Sequence, residues 1–144
     1  MKQAKNLFSA QAKEYKRFRP TYPTELYQRI LQKVKNKDHA WDCGTGNGQV
    51  AAQLANYFTI VTATDISQSQ LNQAELKENI RYQVCRAEQT NFANSTFDLI
   101  TVAQAIHWFD FDAFYQEVAR VSRPEGLLAT WGYGLLSLRI KLIL

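Results

Sequence analysis

The glycine-rich stretch at residues 41–49, WDCGTGNGQ, constrains the fold of this chain more than any other part of its sequence. It lies between a short apolar run, residues 39–43, and a segment with apolar residues at helical spacing, residues 49–57. Glycines at such a junction allow tight turns and close approach of a ligand, and the first turn of a helix offers free N–H groups. The stretch therefore predicts a β-strand, a ligand-binding loop and a helix in direct succession.

Apolar runs alternate with helical patterns along the rest of the chain. Ser67 begins one helical pattern with a capping box, and Asp112 is the predicted N-cap of the last helix. The alternation indicates an α/β fold, with a parallel sheet covered by helices on both faces. At 144 residues, the chain is expected to form a single domain. The predicted strands are 39–43, 58–63, 80–85, 97–103 and 126–131, and the predicted helices are 7–18, 24–35, 49–57, 67–77 and 112–121.

Charge and composition bound the class of partner. Residues 1–37 hold 10 Lys or Arg and 2 Asp or Glu, so this segment is basic although the whole chain carries only +4. A basic segment could attract nucleic acid or an anionic substrate, or it could be a solvated helical face. No apolar stretch reaches the roughly 18 residues that a membrane helix needs, and we expect no signal peptide, because the first residues lack an apolar run. Cys43 and Cys85 cannot form a disulfide framework, so we expect the reducing cytoplasm.

The spacing of the glycines indicates the class of ligand. They fall at positions 44, 46 and 48, which differs from the G-x-G-x-x-G spacing of nicotinamide dehydrogenases, and no Gly-Lys-Ser/Thr follows them. Asp42 precedes the first glycine by two residues, and a carboxylate there suits a cationic group such as an α-amino group or a sulfonium. The loop is therefore expected to bind something other than a pyrophosphate.

Asp65 is the acidic partner of this loop. It ends the second predicted strand, 21 residues beyond Gly44. A carboxylate at that position can accept hydrogen bonds from two ribose hydroxyls. The alternative is a negative charge that stabilises the start of the following helix. The two motifs within one strand–helix–strand unit predict a ligand of the adenosine type.

Together, D-x-G-x-G-x-G at residues 42–48 and an acid at the end of strand two resemble the class I S-adenosylmethionine-dependent methyltransferases. Residues 86–88 (RAE) resemble the loop that borders the adenine, and 97–105 (FDLITVAQA) resemble the strand-four motif at the methionine end. Residues 118–126 (VARVSRPEG) are similar to the signature of the small-molecule group called methyltransferase type 11. Residues 8–23 and the IHWF at 106–109 resemble a narrower subgroup that includes trans-aconitate methyltransferase-like enzymes.

This resemblance implies a Rossmann-like, doubly wound, mostly parallel sheet with strand order 3-2-1-4-5. It divides the chain into an N-terminal helical lid (1–37), a cofactor-binding domain (38–134) and an apolar tail (135–144). Seven of the ten tail residues are Leu or Ile. We expect the last two strands of the family's sheet to be missing, as in a truncated product. Strand five would then have an open edge, and the edge and tail could promote self-association.

The resemblance also implies the roles of individual residues. The backbone of residues 44–48 would surround the methionine portion of S-adenosylmethionine, and Asp65 would hold the ribose. Arg19 could pair with a substrate carboxylate or lie on the surface, and His107 could be a general base or pack under the lid. Trp108 could line the substrate site. The cofactor-binding residues that the resemblance implies are Tyr15, Asp42, Gly44, Thr45, Gly46, Gly48, Asp65, Ile66, Ala87, Glu88 and Gln104.

The predicted function is methyl transfer from S-adenosylmethionine to a small-molecule acceptor, with a carboxylate as the candidate group. Such chemistry needs proximity and orientation more than a catalytic triad, and none is evident. Cys43 and Cys85 do not resemble the nucleophile of cytosine methyltransferases. The signature of amino-directed nucleic-acid methyltransferases is absent at residues 104–107, which disfavours a nucleic-acid substrate. The alternatives are a catalytically silent domain, an RNA methyltransferase and a nicotinamide dehydrogenase; no metal site is expected.

Overall fold

The computed structural model describes residues 22–103, 110–132 and 139–142, the last range as backbone only. The predicted helix at 7–18 lies outside these residues. Among the helices that the structure describes, none is long and apolar enough to span a membrane. The described helices are α1 (Thr24–Lys33), α2 (Gln49–Leu54), α3 (Gln68–Leu71) and α4 (Phe111–Val121), and the strands are β1 (His39–Cys43), β2 (Ile60–Asp65), β3 (Ile80–Val84), β4 (Phe97–Ala103), β5 (Ser122–Trp131) and β6 (Arg139–Leu142).

All six strands form one sheet in the order β3-β2-β1-β4-β5-β6. β1 to β5 run parallel to one another, which confirms the predicted α/β fold and its strand order 3-2-1-4-5. β1 and β4 lie side by side at the centre, with Trp41 opposite Ile100. β4 is buried along its whole length, as expected of a central parallel strand covered on both faces. The carboxyl ends of these strands form the edge at which open α/β sheets bind ligands.

The carboxyl-terminal segment adds an antiparallel strand to this sheet. β6 pairs with β5, and Leu142 lies opposite Leu127 while Arg139 lies opposite Thr130. The expectation of an open edge at strand five is therefore wrong, because β6 takes up the hydrogen-bonding groups of β5. Self-association through the tail stays a prediction.

Helices cover both faces of the sheet. Successive residues of a strand point to opposite faces, and Ala40 and Trp41 accordingly belong to different core clusters. One cluster packs α1 and α2 against the sheet, and it includes the fully buried Ile30. The other packs α4 against the opposite face, and it includes the fully buried Phe114. The helix α1 is thus part of the core, because its apolar stripe contacts the sheet directly.

Two predicted boundaries near the site differ in the structure. The second strand begins at Ile60 rather than at 58, because the Phe58 amide still donates to Leu54 O of the preceding helix, at 3.0 Å. Ser67 is confirmed as the N-cap, with its hydroxyl accepting from the Gln70 amide at 3.2 Å. The reciprocal bond of a capping box is not formed, because the Ser67 amide donates to Asp65 Oδ1 at 2.9 Å. The prediction that this helix extends to residue 77 is wrong, however. It ends at Leu71.

The helix α4 and the strand that follows it also differ from the prediction. Asp110, and not Asp112, is the N-cap, because its carboxylate accepts from the Ala113 amide at 3.3 Å. The fifth strand begins at Ser122 and not at 126, since Ser122 already pairs with Phe97 of β4. The helix therefore passes into the strand without a loop.

Candidate functional site

The glycine loop forms a tight structure at the carboxyl ends of β1 and β2. Gly44, Gly46 and Gly48 have φ of 67°, 58° and 81°, a left-handed conformation that glycine adopts without steric cost. The Thr45 amide donates to Thr64 O at 2.8 Å, which ties the loop to β2. This is the strand–loop–helix junction that the glycine spacing predicts.

Asp42 joins this loop to the neighbouring strand β4. Its side chain is buried, and its two carboxylate oxygens accept from the hydroxyls of Thr45 at 2.6 Å and Thr101 at 2.7 Å. Thr101 is not among the site residues that the sequence predicts. The available signal is a polar residue in the middle of a mostly apolar strand, but its partner Asp42 comes from another part of the chain.

Asp65 closes onto the glycine loop from the end of β2. One carboxylate oxygen accepts from the Gly46 amide at 2.8 Å, and the other accepts from the Ser67 amide at 2.9 Å. Burial raises the pKa of this carboxyl, and the backbone hydrogen bonds from Ser67 and Gly46 oppose that shift. Asp65 thus contacts the loop and the start of α3 together, so the two interpretations of this residue are compatible.

The segment after β3 meets the same edge of the sheet. The Cys85 amide donates to Asp65 O at 3.0 Å, so the chain leaves β3 beside the last residue of β2. Ala87 is buried in the α4-side core, while Glu88 is mostly buried and pairs with Arg86 at 3.6 Å. Ile66 is half-buried beside Asp65. The structure therefore brings the described members of the predicted cofactor set to one edge.

Acidic groups surround Cys43 at the end of β1. Burial raises the pKa of the Cys43 thiol well above its usual range, and the charges of Asp42, Asp65 and Glu88 act in the same direction. Burial also raises the pKa of Cys85. Both thiols are therefore protonated at neutral pH, as expected of cysteines that are not nucleophiles. Three carboxylates thus act on one point at this edge of the sheet, and nearby carboxylates favour a cationic ligand.

Five predicted site residues lie outside the part of the chain that the structure describes: Tyr15, Arg19, Gln104, His107 and Trp108. Their roles stay predictions. The described residues bring together no group of three His, Cys, Asp or Glu side chains that could hold a metal ion.

The contact between Gly48 and Tyr82 makes a stability prediction. A Cβ at position 48 would lie 2.7 Å from Tyr82 Oη. The backbone φ of +81° at this position also strains any L-residue. We expect Gly48→Ala to destabilise the fold by about 1–2 kcal/mol from backbone strain, with the collision adding to this. Tyr82→Phe removes the colliding oxygen, so the double variant should lose less stability than the sum of the single variants in urea denaturation. Strict additivity would contradict the collision.

The comparisons with known proteins agree with this geometry. A family profile described as a methyltransferase domain matches residues 41–130, which is more than half of the chain and includes the glycine loop, Asp65 and β4. The chain belongs to this methyltransferase family. With the observed strand order, it has the fold of the class I S-adenosylmethionine methyltransferases.

Three similar proteins give the extent of the match. A protein of Dictyostelium discoideum named as a methyltransferase is 43% identical over 132 residues, which are 91% of this chain and 50% of the relative. A structure from Anaeromyxobacter dehalogenans, described as a type II methyltransferase, is 39% identical with a TM-score of 0.77, over 82% of this chain and 50% of that one. Geranyl diphosphate C-methyltransferase from Streptomyces coelicolor shares the fold, with 17% identity and a TM-score of 0.67 over 79% of this chain and 48% of that one.

These matches also show a difference in length. The chain spans about half the length of the curated relatives that it matches. The methyltransferase domain family and its fold are thus established for this chain, while the activity and substrate of a whole protein are matters for proposal.

Proposed function

We propose that this chain binds S-adenosylmethionine at the carboxyl edge of its sheet and that the protein transfers the methyl group to a small molecule. The observation that carries the proposal is the bond between Asp65 and Gly46, which places an acid at the tip of β2 against the glycine loop. An adenosine ligand needs both elements at one point, the acid for its ribose and the glycines for close approach of the backbone.

The carboxylates that meet at this edge support a cationic cofactor. Asp42, Asp65 and Glu88 all act on the thiol of Cys43. S-adenosylmethionine carries a sulfonium and an ammonium group, and both are favoured by nearby carboxylates. When bound, this cofactor supplies a methyl carbon that is already activated for displacement. The residues of this chain therefore have to bind and orient it.

Each described residue has a defined place in this proposal. Asp65 accepts from the ribose hydroxyls, while Ala87 and Glu88 border the adenine. The carboxylate of Asp42 attracts the methionine end and also holds the hydroxyl of Thr45, which orients the loop. The backbone of residues 44–48 surrounds the methionine portion, and Ile66 packs beside the adenosine. Tyr15 and Gln104 would complete the set from outside the described residues.

The acceptor side rests on the motif resemblance. His107 would remove a proton where the acceptor requires it, Trp108 would form a wall of the substrate site, and Arg19 would pair with an acceptor carboxylate. The proposed subgroup is that of the trans-aconitate methyltransferase-like enzymes. The proposed location is the cytoplasm. In the Streptomyces coelicolor neighbour, the same fold holds S-adenosylhomocysteine together with a small organic substrate.

Calorimetric titration of the folded chain tests the cofactor. We expect saturable binding of S-adenosylmethionine and of S-adenosylhomocysteine, and none of NAD. A folded chain that binds neither sulfur nucleoside would contradict the proposal, and binding of NAD instead would favour the dehydrogenase alternative.

Transfer of a labelled methyl group tests the reaction. The chain is incubated with labelled S-adenosylmethionine and either a panel of small carboxylic acids or RNA. Transfer to a small acid supports the proposed acceptor class. Transfer to RNA would replace it with the RNA alternative, and cofactor binding without any transfer would favour the silent domain.

A further inference from the structure

A buried glutamate on α4 lies outside the glycine and acid motifs and is not needed for them. Glu117 is 9% exposed. Its Oε2 accepts from the Thr90 amide at 2.7 Å and from the Thr90 hydroxyl. Arg120 donates to both carboxylate oxygens, from Nε to Oε1 at 2.9 Å and from Nη2 to Oε2 at 2.8 Å. Such a bidentate pair fixes both orientation and distance.

Arg120 extends this contact along the connection between β3 and β4. Its Nη1 donates to Phe92 O at 2.7 Å and to Asn94 Oδ1 at 2.9 Å. The ring of Phe92 in turn meets the buried Trp41 edge-on, with centroids 5.3 Å apart. Residues 90–94 are therefore attached to α4 and to the core at several points.

The other end of the same connection is attached to the cofactor edge. The Cys85 amide donates to Asp65 O at 3.0 Å. Only residues 86–89 lie between this bond and Thr90, and they include Ala87 and Glu88. So short a segment with both ends held has few conformations available.

We propose that Glu117 is a positioning residue for the adenine side of the cofactor site, acting through Thr90 on residues 86–89. This inference rests on the proposed function, since it assumes that Ala87 and Glu88 border the adenine. Glu117 itself does not touch the cofactor. Its ion pair with Arg120 fixes Thr90, and Thr90 in turn keeps residues 86–89 where they can contact the adenine.

The charge state of Glu117 suits such a role. Hydrogen bonds from Arg120 lower the pKa of this carboxyl to about 2, although its burial acts in the opposite direction. Glu117 is therefore ionised, and able to pair with Arg120, at every pH at which binding would be measured.

A second buried carboxylate provides a matched control. Asp98 is 5% exposed and accepts from Arg123 at 3.1 Å and from the His39 amide at 3.0 Å. It lies near the amino end of β4, away from the carboxyl edge. Changing Asp98 removes a buried acid–arginine pair of the same kind without touching the segment 86–89.

The test compares two ligands and four variants by calorimetry. The ligands are S-adenosylhomocysteine and 5′-methylthioadenosine, which share the adenosine part. In Glu117→Ala and Glu117→Gln we expect both ligands to bind about tenfold more weakly, a change of about 1.4 kcal/mol. Both losses should be the same factor, because the segment faces only the adenine. Thr90→Val, which removes only the hydroxyl donor, should give a smaller loss, and Asp98→Asn should leave both affinities unchanged while lowering the melting temperature.

The outcomes separate this inference from the proposed function. Wild-type chain that binds neither ligand would overturn both. Wild-type binding with unchanged affinity in the folded Glu117 variants would overturn the positioning role alone. An equal loss of affinity in Asp98→Asn would also overturn it, because it would show a general loss of stability. A loss confined to S-adenosylhomocysteine would overturn it too, because it would show an effect at the methionine end. Should Glu117→Ala fail to fold, Glu117→Gln and Thr90→Val carry the test.

Discussion

Replacing Asp65 with alanine is expected to weaken the binding of S-adenosylhomocysteine by about 1–3 kcal/mol, the range for hydrogen bonds to a charged group. That range equals about a 5- to 150-fold loss of affinity. The variant removes the carboxylate proposed to hold the ribose, and it also releases the Gly46 and Ser67 amides that this carboxylate binds. Calorimetric titration measures the change.

Two further measurements sharpen this prediction. Asp65→Asn retains one acceptor oxygen and should lose less affinity than the alanine variant. Burial raises the pKa of Asp65 above 3.8, so the folded chain takes up this proton at a higher pH than the unfolded chain does. Since the ribose is held by the ionised carboxylate, affinity should fall as the pH is lowered through that raised pKa. Unchanged affinity in a folded alanine variant would contradict the ribose assignment.

Trp41→Ala is expected to cost about 3–5 kcal/mol of unfolding free energy, the usual cost of deleting a large buried aromatic side chain. Trp41 is fully buried, and its ring centroid lies 5.3 Å from that of Phe92 and 5.5 Å from that of Phe97. Its Nε1 donates to Thr64 Oγ1 at 2.9 Å, so the variant also leaves a buried hydroxyl without this donor. Urea denaturation followed by circular dichroism measures the loss.

Trp41→Phe is the matched control for this prediction. It keeps an aromatic ring between Phe92 and Phe97 but removes the indole N–H, so it should recover part of the lost stability. Equal stability of the alanine variant and the wild-type chain would contradict the expected contribution of this buried ring to the core. The loss expected for Trp41→Ala is a considerable part of the unfolding free energy of a typical domain, which is about 5–15 kcal/mol.

The sequence was most informative where structure depends on neighbours along the chain. β1 and β4 begin and end where the sequence predicts, and polar, turn-forming residues precede both runs. The sequence places the start of β2 at Phe58, two residues before its start in the structure. Phe58 is apolar and buried, but its amide remains bonded to the preceding helix, and residue type alone does not distinguish a buried turn from a strand.

Part of the candidate site could be predicted in the same way. Glycines at 44, 46 and 48 and an acid at 65 belong to one strand–helix–strand unit, so their spacing alone indicates a loop and its acidic partner. Thr101 and Glu117 carried no comparable signal, because their partners Asp42 and Thr90 are 59 and 27 residues away along the chain.

The sequence by itself determined the class of fold and the position of the glycine loop, since these follow from local periodicity and turn chemistry, and its resemblance to the class I methyltransferases supplied the order of the parallel strands. Only the tertiary structure decided which carboxylates meet at the end of β1, how the segment 86–89 is held between Asp65 and Glu117, and that β6 covers the edge of β5. Those features depend on side chains and strands from distant parts of the chain, which become neighbours only when the core packs.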